Sequence, residues 1–190
     1  VVKDFSLTVR PGEKIGLVGR SGAGKSTLVN LTLRMFDVAS GAIRIDGQDI
    51  REVTQQSLRM AIGVVGQDTS LLHRSVRENI ALPFTTRMRA WGLINTGKER
   101  KQVDGAIATL QIDTRAQGEV RRLSGGNQQK VTIARWVAGG VRTMLCFDPT
   151  RGIDIRTKGQ IYVLLRDLAE AGAAILLYTL VTAVIPAFQG

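Results

Sequence analysis

The stretch Gly19-Arg20-Ser21-Gly22-Ala23-Gly24-Lys25-Ser26-Thr27 brings together the residue types that hold a chain of phosphates. It fits the pattern G-x-x-x-x-G-K-[ST] of a phosphate-binding loop. Gly22 and Gly24 let the backbone turn with its N–H groups facing inward as an anion cradle, and a helix starting near Lys25 adds the positive end of its dipole. Lys25 is placed to reach the β- and γ-phosphates of a nucleotide, and the Ser26 hydroxyl to ligate Mg2+. The motif needs a strand before it and a helix after it. The apolar run Ile15-Gly16-Leu17-Val18 and the segment Leu28-Val29-Asn30-Leu31 supply both.

A second glycine-rich turn, Leu123-Ser124-Gly125-Gly126-Asn127-Gln128-Gln129-Lys130, runs into a helical pattern over 128–137. By the same dipole argument it is a second anion site. The segment Gly66-Gln67-Asp68-Thr69 follows directly on the apolar run 62–65. A side-chain amide at a strand end, here Gln67, can ligate Mg2+ and orient a water near a γ-phosphate; the same residue also suits an ordinary surface loop.

The elements that must position these groups follow from periodicity. Phe5, Leu7 and Val9 alternate with polar residues and predict a half-exposed strand, closed by the Pro11-Gly12 turn. Residues 14–19 form the strand feeding the loop, and 25–35 the helix leaving it. Residues 42–46 alternate again and stop at Gly47, while 57–60 reads as a short helix before a buried strand at 62–65. Ser75-Val76-Arg77-Glu78 is a capping box opening a helix. The pattern over 81–117 is helical and charged, punctuated by Pro83 and Gly92, and predicts a helical subdomain inserted between two parts of one core, 1–80 and 118–190. Strands at 143–147 and 174–178 flank a helix at 157–170. Strands alternating with helices predict an α/β fold: a P-loop NTPase core with a mainly parallel sheet, N-terminal antiparallel strands and the helical subdomain.

With 190 residues, 44% hydrophobic and 22% charged, the chain suits one globular domain. Its one cysteine, Cys146, excludes a disulfide framework and fits a reducing compartment, and the alternating, charged start does not read as a signal peptide. The uncharged stretch 171–188 is long enough to weigh as a membrane span, but Gly172 and Pro186 interrupt it and a central parallel strand reads the same way. The net charge of +10 is scattered in small clusters with few aromatics, a pattern of solvated faces rather than a nucleic-acid groove.

Taken in order, these motifs resemble the nucleotide-binding domain of an ATP-binding cassette (ABC) transporter. Gly19 to Thr27 matches that family's Walker A loop and Gln67 its Q-loop. Leu123-Ser124-Gly125-Gly126 matches the signature motif, and Arg151-Gly152-Ile153-Asp154 the D-loop. The resemblance implies ATP and Mg2+ as cofactors, with Ser26 and Gln67 as metal ligands. It also implies a head-to-tail dimer in which Ser124, Gly125 and Gly126 of one copy close over ATP on the other. A transmembrane permease would be the working partner, at the cytoplasmic face of the inner membrane. The first half, to about Ile80, resembles exporter cassettes and the part from Ala90 sugar-importer cassettes, which implies a recombinant or engineered chimera joined between them.

The resemblance fails at the hydrolytic residues. Counting without gaps from Ser124 puts Phe147 where the family has a metal-holding Asp and Asp148 where it has the water-activating Glu. The alternative makes Asp148 the metal Asp, with the Glu deleted. The family's switch histidine, due near Thr179 or Leu180, is absent; His73 is the only histidine and reads as a surface residue. The adenine-stacking aromatic of the family would precede Val1. Nucleotide binding with slow or no turnover is the expectation, with Asp148 and Gln67 as the remaining catalytic candidates. Two other functions compete: an ABC-type ATPase acting on nucleic acid, disfavoured by the short gap between Gln67 and Ser124, and a chimeric fold retaining nucleotide binding as a passenger.

Overall fold

The computed structural model describes residues 2–20, 22–66, 68–69, 71–89, 96–112 and 119–178. In chain order the elements are β1 (Lys14–Leu17), α1 (Lys25–Thr32), β2 (Arg44–Ile45), β3 (Gln48–Asp49), α2 (Gln55–Ala61), β4 (Ile62–Val65), α3 (Val76–Arg89), α4 (Thr96–Thr109), α5 (Gly125–Ala138), β5 (Thr143–Phe147), α6 (Ile155–Glu170) and β6 (Ala174–Tyr178). The order β1-β6-β5-β4 makes one sheet, parallel throughout. Crossover helices cover both faces of such a sheet, so its inner strands carry apolar residues on both sides. β6 is one of these inner strands. That assigns 174–178 to the sheet, and among the described residues no helix is long and apolar enough to cross a membrane. Residues 179–190, including the place of the missing histidine, lie outside the described residues.

Strand alternation sorts the core onto two faces. Val29 of α1, Leu58 of α2, Ile62 of β4 and Leu145 of β5 are buried together on one face. On the other, Ile80, Val103, Ile133 and Leu165 from α3, α4, α5 and α6 pack with Met144, Cys146 and Ile175. The helical insertion therefore shares the main core. Cys146 is fully enclosed there, and burial pushes its thiol up to about 12.

Three sequence expectations change. Residues 5–10 form no strand, and Phe5 and Leu7 are 48% and 40% exposed. Alternation fits a half-buried surface but cannot supply the neighbouring strand a ladder requires. The expected antiparallel strands are the pair β2–β3, formed at the 42–46 strand and closed by Asp46 and Gly47 with φ of 51° and 81°, the left-handed pair a type I′ hairpin turn demands. α1 stops at Thr32 rather than residue 35, because Arg34 turns left-handed (φ 49°) and its guanidinium donates to the carbonyls of Ile50 and Val53 at 3.1 and 2.8 Å.

Pro83 does not punctuate the helix; α3 runs through it. A proline has no N–H for the carbonyl four residues back, here Asn79. Arg135 Nε donates to that oxygen at 3.0 Å, so a side chain of α5 replaces the missing helix bond.

Candidate functional site

The loop between β1 and α1 is built by its glycines. Gly22 and Gly24 both sit at φ 84°, a region L side chains avoid, and Gly24 caps α1 without a side-chain acceptor. Among the described residues no side chain caps the first turn of α1, whose N–H groups suit an anion. Lys25 is only 9% exposed and folds back so that Nζ donates to the carbonyls of Gly19 and Arg20, each at 2.5 Å. Ser26 and Ala23 are exposed and Thr27 is half-buried. Gly19, Arg20, Gly22, Ala23, Gly24, Lys25, Ser26 and Thr27 thus lie together; Ser21 lies outside the described residues.

Beneath the lysine the chain places aromatic rings. Lys25 Nζ stands 5.3 Å from the centroid of the Tyr178 ring, a cation–π distance. Tyr178 meets Phe147 edge to face, with centroids 6.3 Å apart. Phe147 and Tyr178 are register partners at the ends of β5 and β6, and Phe147 packs on the core face that holds Val29 of α1. Asp148 follows, 7% exposed, with φ 41° and its N–H donating to the Tyr178 carbonyl at 2.6 Å. Its charge is felt by Tyr162, a residue of the opposite core cluster, whose phenol is raised first by burial and further by that carboxylate. At the end of β5 it is Phe147, beside Leu145, that packs on the α1 side. Among the described residues no three His, Cys, Asp or Glu side chains converge as a metal cluster.

Gln67 lies outside the described residues, but both sides of its loop are anchored by α5. Gln129, 1% exposed, donates from Nε2 to the Gly66 carbonyl at 2.9 Å. Gln128 accepts from the Thr69 hydroxyl at 3.0 Å and donates to the Leu123 carbonyl, also at 3.0 Å. The helix that starts at the second glycine turn therefore also holds the loop of Gln67.

That turn begins with Ser124, whose hydroxyl accepts from the Asn127 N–H and starts α5 three residues earlier than periodicity suggests. Ser124 and Gly125 are exposed, whereas Gly126 is buried against α6. A Cβ on Gly126 would lie 2.1 Å from Thr157 Cγ2 and 3.4 Å from Ile153. Thr157 is fixed in turn, since its N–H donates to Asp154, the cap of α6, and these bonds hold the Asp154 carboxyl below its ordinary range. Gly126→Ala is expected to cost about 1–3 kcal/mol through overpacking. Adding Thr157→Ser removes the methyl and keeps the hydroxyl, so chemical denaturation of the double variant should recover most of the loss. Equal instability with either residue at 157 would refute the contact.

Sequence reasoning did not single out Tyr178, Gln128 or Gln129. A tyrosine ending an apolar strand carried a signal for Tyr178; the two glutamine contacts join segments roughly 60 positions apart and had no local trace.

The sequence profile described as ABC transporter matches residues 2–151. A ribose import ATP-binding protein, RbsA 1 of Mesorhizobium japonicum, is 39% identical over 93% of this chain, which spans 36% of that relative. CbiO1 of Clostridium perfringens, part of the ABC transporter complex cbiONQ, superposes with a TM-score of 0.88 at 26% identity, covering 98% of this chain and 74% of its own. The ATP-binding cassette MJ0796, a dimer bound to ADP and Pi, gives 0.78 at 29% identity, covering 94% and 79%. The ribose-import match runs across both halves of the chain, so the expected chimeric join has no support.

Proposed function

This chain belongs to the ABC transporter family as one of its nucleotide-binding domains, and we propose that it binds ATP at the β1–α1 loop with hydrolysis strongly impaired. The observation that carries the reading is Lys25, held over the loop with its charge beside an uncapped helix start. The loop amides and Lys25 would hold the phosphates, and the exposed Ser26 hydroxyl, with Gln67, would contact a Mg2+ ion brought in on them. Mg2+ is bound by one or two carboxylates besides phosphate oxygens, and the described residues fit that need poorly, because Phe147 occupies the strand end facing α1. Asp148 is the carboxylate left to polarise water.

A second copy would close over the nucleotide with its exposed Ser124 and Gly125, head to tail, while Gly126 keeps that turn on α6. A transmembrane permease would dock on this chain at the cytoplasmic face of the membrane. An open groove of about 640 Å3 between α2, α3 and α5, lined among others by Arg59, Met60, Leu82, Pro83 and Trp136, offers a mixed apolar and basic surface for it. The chain spans little more than a third of the length of its ribose-import relatives, and residues 1–80 and 118–190 would form the core around the 81–117 helical subdomain.

Titration with a fluorescent ATP analogue in Mg2+ tests the reading, with sedimentation run alongside. Saturable binding and an ATP-dependent dimer abolished by Ser124→Arg are the expected results. No binding to a folded chain would end the proposal.

A further inference from the structure

The aromatic pair beneath Lys25 changes what the site needs from a metal. We infer that nucleotide affinity in this chain is carried by the loop and the lysine without help from a divalent cation, and that Phe147 is the residue responsible. The inference rests on the proposed nucleotide site and specifies its use of Mg2+.

Three observations support it. In phosphate-loop NTPases the ion is held by the loop hydroxyl and a carboxylate at the end of a neighbouring strand. Here the strand end facing α1 is Phe147, packed on the cluster of Val29 and Leu145, so a hydrated ion would meet hydrocarbon. Next, the lysine already has a partner of a different kind: its ammonium lies over Tyr178, which Phe147 braces edge to face. A ring face attracts the cation without neutralising it, leaving the full positive charge for the phosphates. Finally, the first turn of α1 adds no acidic side chain, and among the described residues no three His, Cys, Asp or Glu side chains converge as a metal cluster. Metal-free ATP is the more negative ligand, and a chain of net charge +10 attracts it better than the magnesium complex.

The test is a titration of the full chain with the fluorescent ATP analogue in excess Mg2+ and in excess EDTA, beside Phe147→Asp and Phe147→Leu. The wild-type affinity should agree between the two buffers within about threefold, a difference of roughly 0.65 kcal/mol. Phe147→Asp should bind about tenfold or more tightly in Mg2+ than in EDTA, and Phe147→Leu should stay indifferent to the metal. Wild-type binding that weakens about tenfold in EDTA overturns the inference and leaves the nucleotide site standing. Absence of binding in both buffers overturns the nucleotide site, and the inference with it. If Phe147→Asp does not fold, the wild-type pair of titrations still decides.

Discussion

Lys25→Ala is expected to weaken ATP binding by on the order of 100-fold or more. Hydrogen bonds to a charged donor contribute about 1.5–3 kcal/mol each, and Lys25 Nζ makes two, to Gly19 and Arg20, which phosphate oxygens would replace. The ammonium is nearly enclosed, so its attraction to phosphate is less screened than that of a surface lysine. The fold should survive, because Lys25 bonds to carbonyls of its own loop and rests over Tyr178, while the packing of the two core clusters does not depend on it. An analogue titration in which the variant stays within a fewfold of wild type would mean that the loop amides hold the ligand alone.

Asn79→Ala should cost about 3 kcal/mol of stability. This amide is fully buried and satisfied on every side. Its oxygen accepts from the Leu72 N–H at 2.8 Å and from Arg135 at 3.4 Å, and its nitrogen donates to the carbonyls of Leu72, Arg74 and Ser75 at 3.0, 3.3 and 3.1 Å. Truncation strands the buried backbone groups that the amide pairs, which is costlier than the bonds themselves. The segment it pins leads from the loop of Gln67 into α3, so Asn79→Ala should also raise proteolysis at 71–75. A urea midpoint close to wild type would show that the network is dispensable.

The parts written in short-range pattern were readable before any coordinates. Glycines, lysine and serine at fixed offsets implied the loop, and the apolar runs at 62–65, 143–147 and 174–178 implied parallel strands, all of which form. Pattern misled where pairing partners decide. Residues 5–10 alternate but have no strand beside them among the described residues, and Pro83 stays helical because Arg135, more than 50 positions away, bonds the carbonyl it abandons. The departure at Phe147 could be counted along the chain. Its meaning, an apolar floor shared with Tyr178 under Lys25, needed the β5–β6 register. Gly126 shows the reverse case: a glycine read as an anion cradle is also required by the methyl of Thr157.

The most direct test of the central claim, nucleotide held without efficient cleavage, is phosphate release from a preformed complex of the chain with ATP and Mg2+. Bound nucleotide should be recovered as triphosphate, with release no faster than from Lys25→Ala. Robust steady-state release that Lys25→Ala abolishes would contradict the claim, and would show that Asp148 and the loop of Gln67 suffice for hydrolysis despite Phe147.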